Sequence, residues 1–200
     1  MSKRALIIVD VQNDFCPGGA LAVPDGEKVV PFINKLQSDF DVVVATKDWH
    51  PANHGSFATS HEGKKPQDIV RLGGLPQILW PDHCIQGTEG AEFVKDLDIS
   101  NVSKIFEKGT DPEIDSYSGL YDNGHKKATG LSEYLKEQGV DEVHIAGLAT
   151  DYCVKFTALD ARQDGFKTKV VLGGCRGVNL IPTDVDTAVR EMRLAGVEIV

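Results

Sequence analysis

Cys153 is the residue best suited to nucleophilic chemistry in this chain. It follows an apolar run at Val143–Ile145, and a helix is predicted to begin after Thr150 or Asp151, either of which can cap it. Cys153 would then lie in the first turn, where free backbone N–H groups and the helix dipole stabilise a thiolate. The same N–H groups can bind an oxyanion, so this turn is typical of a nucleophile with its oxyanion hole. The alternative is a buried structural cysteine, which is what most free cysteines are.

Two other residues at predicted strand ends complement the thiol. Asp10 ends the first apolar run, and Lys108 follows a third one. A carboxylate can take the thiol proton and later pass it to a leaving amine. A lysine ammonium lowers a thiol pKa and favours the ionised carboxylate. Alone, Asp10 would be interpreted as a cap or ion-pair partner and Lys108 as solvated surface, so the hypothesis depends on all three together.

A metal site is predicted from one aspartate and two histidines. Asp48 and His50 stand two positions apart, so in extended chain both face the same way, and His83 is the natural third ligand. An Asp and two His leave coordination positions open, as functional metal sites do. Cys84 is expected to pack rather than bind, whereas His54 could contact the ion or support its ligands. The remaining histidines, His61, His125 and His144, are interpreted as non-functional.

The elements that must position these residues alternate along the chain. Short β-branched runs occur at 5–9, 42–45, 104–106, 143–145, 169–172 and 197–200, and helices are predicted at 27–38, 89–96, 129–138, 152–164 and 183–195. Continuous apolar strands alternating with helices predict a three-layer α/β fold with a parallel sheet covered on both faces. Ligands of such folds bind at the carboxyl ends of the strands. The irregular stretches 47–88 and 111–125 are predicted to lie over that edge.

Bulk composition limits the partners. The chain has 200 residues and a formal net charge of −9, so nucleic acid and anionic membranes are not expected to bind. No charged-then-apolar leader or membrane-length apolar run is present, and we expect a cytoplasmic protein, either a monomer or a homo-oligomer. The four widely spaced cysteines do not indicate a disulfide framework.

Taken together, these motifs carry a resemblance to a known family. The chain resembles the isochorismatase-like cysteine hydrolases, and among them the bacterial members that act on nicotinamide. The matching segments are Ile8–Phe15, Lys47–His54, Trp80–Cys84, Phe106–Gly109, Asp115–Ser118, Gly147–Val154 and Gly173–Asn179. The resemblance implies one isochorismatase-like hydrolase domain over residues 1–200, with a six-stranded parallel sheet in a Rossmann-like α/β/α arrangement.

The resemblance also implies roles for individual residues. Asp10, Lys108 and Cys153 match the catalytic triad of the family, and Asp48, His50 and His83 match its ligands for one divalent ion, with zinc, iron or manganese plausible. The peptide between Leu148 and Ala149 should be cis, and the N–H groups of Ala149 and Cys153 should form the oxyanion hole. An aromatic pocket should be walled by Phe15, Trp80, Tyr117 and Tyr152.

The implied activity is hydrolysis of the small molecule nicotinamide to nicotinate and ammonia through a thioester, in NAD salvage. A flat aromatic pocket and an ion facing the ring nitrogen would also accept pyrazinamide. One alternative is another amidase or an isochorismate-type hydrolase, although such relatives generally lack the full Asp48, His50 and His83 set. A non-enzymatic nucleotide-binding module is disfavoured because no G-x-G-x-x-G follows the first strand. A thiol redox protein is disfavoured because no resolving cysteine lies near Cys153 in sequence.

Overall fold

A parallel β-sheet runs through the middle of the molecule, whose computed structural model describes residues 3–200. The strands of the described residues are β1 Lys3–Val9, β2 Val42–Asp48, β3 Ile69–Leu72, β4 Leu75–Ile78, β5 Lys104–Lys108, β6 Val140–Leu148, β7 Lys167–Arg176 and β8 Glu198–Ile199. Six of them pair in the order β5-β2-β1-β6-β7-β8, and all neighbours in the sheet are parallel. A separate antiparallel hairpin is formed by β3 and β4.

Helices cover both faces of the sheet, as the sequence predicts. They are α1 Val29–Leu36, α2 Leu131–Glu137, α3 Lys155–Gln163 and α4 Asp184–Leu194. Side chains alternate along a strand, so β1 contributes Ala5, Ile7 and Val9 to the core shared with α2, α3 and α4. Its other face contributes Leu6 and Ile8 to the core beneath α1. The three-layer α/β/α architecture is therefore confirmed.

One predicted helix is wrong. Residues 89–96 form a single 3-10 turn at Glu89–Ala91, a short extended stretch with a bridge from Phe93 to Gln12, and then a turn. The segment pairs with the loop after β1: the Asn13 N–H donates to the Glu92 carbonyl (2.9 Å), and the Val94 N–H donates to the Val11 carbonyl (3.1 Å). These strand-like hydrogen bonds outweigh the local helical pattern. Among the described residues, no helix combines the length and apolar character required to cross a membrane.

The register of the sheet brings the predicted site residues to one edge. Val9 pairs with Thr46 on one side and with Gly147 on the other, and Asp48 pairs with Lys108. Because parallel strands end at the same edge, the side chains that follow β1, β2, β5 and β6 converge there.

Candidate active site

Lys108 contacts several of the predicted site residues at the carboxyl edge of the sheet. Its side chain is buried, and Nζ lies 2.9 Å from Asp10 Oδ2 and 2.6 Å from Asp48 Oδ1. Nζ also donates hydrogen bonds to the Ser116 carbonyl (2.9 Å) and to Cys153 Sγ (3.4 Å). The predicted carboxylate, ammonium and thiol are therefore in contact, and the same ammonium also contacts the predicted metal-binding carboxylate.

The turn that carries Cys153 differs from the sequence prediction. Residues Thr150–Val154 form a π-helical turn before α3, and Ala149 occupies the N-cap position without a side-chain cap. Neither Thr150 nor Asp151 caps the helix. The Asp151 carboxylate instead accepts hydrogen bonds from the backbone N–H groups of Val178 (2.9 Å) and Asn179 (2.8 Å). It therefore ties the cysteine turn to the loop after β7.

The backbone before Cys153 has the expected form. The peptide between Leu148 and Ala149 is cis. The N–H groups of Tyr152 and Val154 donate to the Ala149 carbonyl at 3.1 and 3.0 Å. Ala149 and Cys153 both line the same pocket, which places the two predicted oxyanion donors beside one cavity.

Burial governs the protonation of the thiol and its neighbouring acid. Desolvation raises the pKa of Cys153 well above its ordinary value, although the Lys108 ammonium opposes the shift. Burial likewise raises the pKa of Asp10, again against the effect of Lys108. At neutral pH the resting thiol therefore carries its proton. A nearby carboxylate of raised pKa is a better acceptor for that proton than an ordinary aspartate.

Asp48, His50 and His83 form a group that fits a divalent metal ion. Each offers one ligand atom, and these atoms lie within 4.8 Å of one another. Asp48 Oδ2 is 3.6 Å from His50 Nε2 and 3.8 Å from His83 Nε2. His50 Nδ1 lies 2.8 Å from the Gly109 carbonyl oxygen, and His83 Nδ1 lies 2.7 Å from the Pro81 carbonyl oxygen. Donation from Nδ1 leaves the Nε2 lone pairs directed at the carboxylate, which is the tautomer that a metal requires.

Two of the three groups are held in the protonation state that binds metal. Burial disfavours an ionised carboxylate, yet Lys108 and His50 hold the pKa of Asp48 well below its usual range. Burial, reinforced by His50, lowers the pKa of His83 and favours the neutral imidazole. Burial also lowers the pKa of His50, but the Asp48 carboxylate outweighs this effect and raises it. An ion that binds here must therefore displace the proton that Asp48 favours on His50.

The other histidines and Cys84 are accounted for separately. The His54 ring packs at a tilt against that of His50, with ring centroids 4.2 Å apart. Its Nδ1 lies 2.7 Å from the Ser56 hydroxyl, and its buried Nε2 has no hydrogen-bond partner among the described residues. His54 therefore adjoins the group, and Cys84 belongs to none of the ligand groups that the described residues form. The three remaining histidines have partners elsewhere: His61 contacts the Gly55 carbonyl, His125 contacts Asp160, and His144 contacts Glu142.

The four predicted aromatic residues line one pocket together with Asp48, His83, Ala149 and Cys153. The ring of Trp80 meets that of Tyr152 edge-on at 5.0 Å, and the Trp80 Nε1–H donates to the Tyr117 hydroxyl (3.2 Å). The ring centroids of Phe15 and His83 lie 5.5 Å apart. The pocket therefore has rigid aromatic walls, with the thiol and the metal-binding group both on its border.

Three lining residues were missed by the sequence analysis: Leu21, Asp115 and Val178. Asp115 and Val178 stand inside segments that carry the family resemblance, so their motifs could have identified them. Leu21 is an aliphatic residue in a loop, and nothing in its local sequence distinguishes a pocket wall from ordinary packing.

Comparison with known proteins agrees with this geometry. The isochorismatase domain model matches residues 4–200. The chain is 51% identical to a nicotinamidase of Escherichia coli strain K12, covering 98% of this chain and 93% of the relative. A solved nicotinamidase and pyrazinamidase of Acinetobacter baumanii superposes with a TM-score of 0.97 at 48% identity, over 100% of this chain and 96% of the other. A pyrazinamidase of Pyrococcus horikoshii, solved in complex with zinc, superposes with a TM-score of 0.81 at 40% identity, over 99% and 98% of the two chains.

Proposed function

The chain belongs to the isochorismatase family, and on that premise we propose that it hydrolyses nicotinamide to nicotinate and ammonia. The observation that carries the proposal is one pocket bordered by a thiol in contact with a buried lysine and by a metal-binding group. The 51% identity to a nicotinamidase over nearly the whole of both chains supports the same substrate. The physiological role would be the return of nicotinamide to NAD synthesis.

Acylation begins at the thiol. Cys153 Sγ attacks the carboxamide carbon while its proton passes to Asp10, whose raised pKa makes it a suitable acceptor. Lys108 stabilises the thiolate that forms during attack, because its Nζ lies 3.4 Å from Sγ. Asp10 then donates the proton to the leaving amine, ammonia departs, and a thioester on Cys153 remains.

The tetrahedral intermediates place negative charge on the former carbonyl oxygen. The backbone N–H groups of Ala149 and Cys153 are assigned as the donors that bind this oxyanion. Deacylation reverses the roles: Asp10 takes a proton from water, the water oxygen attacks the thioester, and the proton returns to Cys153 as nicotinate is released. Burial of Asp10, Lys108 and Cys153 keeps these proton transfers local.

Asp48, His50 and His83 would hold one divalent ion, for which zinc, iron and manganese are all compatible with one oxygen and two imidazole ligands. When bound, the ion supplies a fixed positive charge and open coordination positions for the pyridine nitrogen, directly or through water. The Phe15 ring, with its centroid 5.5 Å from that of His83, lines that end of the pocket. The ring is thereby oriented with its carboxamide toward Cys153.

The pocket also determines the range of amides. Aromatic walls select a flat six-membered ring, and the metal-binding group selects a ring nitrogen opposite the amide-bearing side. Pyrazinamide keeps a nitrogen in that position, and we propose that it is cleaved as well. Benzamide fills the same space but lacks the lone pair, so it loses a specific polar contact.

Ammonia release from nicotinamide, pyrazinamide and benzamide under identical metal loading tests this proposal. We expect nicotinamide and pyrazinamide to turn over and benzamide to have a kcat/KM lower by about two orders of magnitude or more. Equal rates with benzamide and nicotinamide would mean that the ring nitrogen is not recognised and would favour a general amidase. Absence of turnover with all three would favour an isochorismate-type hydrolase.

A further inference from the structure

The two oxygens of the Asp10 carboxylate have different surroundings. Oδ1 accepts a hydrogen bond from the Thr46 hydroxyl at 2.6 Å, and both residues are fully buried. Oδ2 lies 2.9 Å from Lys108 Nζ, but within residues 3–200 no group directs a well-aligned hydrogen bond at it. One oxygen is therefore occupied by a neutral donor, while the other, beside the ammonium, keeps an open lone pair.

The Thr46 hydroxyl is held in this position from two sides. Thr46 lies on β2 beside β1, and its carbonyl accepts the Asp10 N–H at 3.3 Å. Its methyl group faces Gly119 so closely that a Cβ there would lie 2.7 Å from Thr46 Cγ2. Gly119 is itself fixed, because its N–H donates to the Thr157 hydroxyl at 2.8 Å. Backbone and packing thus fix the rotamer that directs the hydroxyl at Oδ1.

We infer that Thr46 is a positioning residue, which occupies Oδ1 of Asp10 and so directs the proton of the Cys153 thiol onto Oδ2. In that step the S–H bond breaks, the proton joins Oδ2, the sulfur electron pair forms the S–C bond, and the carbonyl π pair moves to oxygen. The hydrogen bond at Oδ1 persists in both states, because the carbonyl oxygen of a protonated acid still accepts. Thr46 therefore fixes the plane of the carboxyl group throughout proton transfer.

A purely structural role makes a different prediction. If Thr46 served only to pack between β1 and Gly119, its methyl group would matter and its hydroxyl would not. Thr46→Val keeps the shape and removes the hydroxyl, whereas Thr46→Ser keeps the hydroxyl and removes the methyl. Thr46→Ala provides a second comparison, since it differs from Thr46→Ser by the hydroxyl alone.

Two readouts test the inference. The first, nicotinamide turnover, rests on the proposed function; the second, the rate at which iodoacetamide alkylates Cys153, does not depend on any substrate. In Thr46→Val we expect kcat to fall about tenfold to a hundredfold, as for loss of a hydrogen bond to a charged group, with KM within about twofold of wild type. The alkylation rate should fall in parallel, and Thr46→Ser should stay within about threefold of wild type in both assays.

The ordering of the variants decides the outcome. The inference would be overturned if kcat and the alkylation rate of Thr46→Val equalled or exceeded those of Thr46→Ser. It would also be overturned if Thr46→Ala and Thr46→Ser had equal values in both assays. If the wild type released no ammonia from nicotinamide while alkylation kept the expected order, the proposed function would fail and the role of Thr46 would stand. If Thr46→Val does not fold in a thermal unfolding measurement, the Ser and Ala pair supplies the same comparison.

Discussion

Replacing Lys108 by methionine tests the electrostatic basis of the site. The variant removes the ammonium and keeps a long unbranched side chain in the buried space. With Nζ 3.4 Å from Sγ, an ammonium and a thiolate attract by about 5 kcal/mol at an effective dielectric constant of about 20. Because Lys108 lowers the pKa of Cys153 against burial, its loss should raise that pKa further.

The net effect on the thiol will be smaller than this pairwise value. Asp10 and Asp48 both lose their cation, and one of them is expected to take up a proton, which removes a negative charge near the sulfur. We therefore expect Cys153 in Lys108→Met to be alkylated roughly ten to a thousand times more slowly than in wild type near neutral pH. The assay is iodoacetamide labelling of native protein, followed by mass spectrometry from about pH 6 to about pH 9.

Lys104→Met is the matched control, since Lys104 is an exposed lysine at the start of β5, the strand that ends at Lys108. It should leave the labelling of Cys153 unchanged. Loss of the Lys108 cation also leaves buried carboxylates unpaired, so thermal unfolding must establish that the variant folds, with Lys108→Gln as a second substitution. Identical curves of labelling rate against pH in wild type and a folded Lys108 variant would refute the proposed coupling.

Three further predictions concern the nucleophile and the metal. Cys153→Ala should lower ammonia release by about three orders of magnitude or more, while Cys175→Ala should retain most activity; appreciable turnover by pure Cys153→Ala would remove the nucleophile assignment. His83→Ala should bind much less than one divalent ion per chain on metal analysis, whereas His144→Ala should match wild type; full occupancy in His83→Ala would exclude it as a ligand. Since burial raises the pKa of the Cys153 thiol, the thiolate fraction and hence the labelling rate should keep rising above the ordinary thiol pKa of 9.0; a plateau below that value would contradict the raised pKa.

The parts of the fold and site that sequence predicted are those governed by local pattern. Continuous apolar runs identified the strands of a parallel sheet, and such strands end at one edge. That rule predicts from the sequence that Asp10 and Lys108 lie near Cys153. The two-residue spacing of Asp48 and His50 likewise follows from the period of extended chain.

The parts that sequence did not predict depend on contacts between distant segments. Residues 89–96 have a helical pattern but pair with the loop after β1, which local propensity does not encode. Asp151 has the chemistry of a cap, yet its carboxylate binds backbone N–H groups 27 and 28 residues away. Thr46 resembles any β-branched strand residue, and its role became visible only through its contact with Asp10.

The most direct test of the account is to look for the covalent intermediate. Wild-type protein is mixed with nicotinamide, quenched with acid during turnover and analysed by intact mass and fragmentation. We predict a nicotinoyl group on Cys153, absent from Cys153→Ala treated in the same way. A nicotinoyl group on another residue, or ammonia release by Cys153→Ala at the wild-type rate, would contradict the central claim that this thiol carries the acyl group.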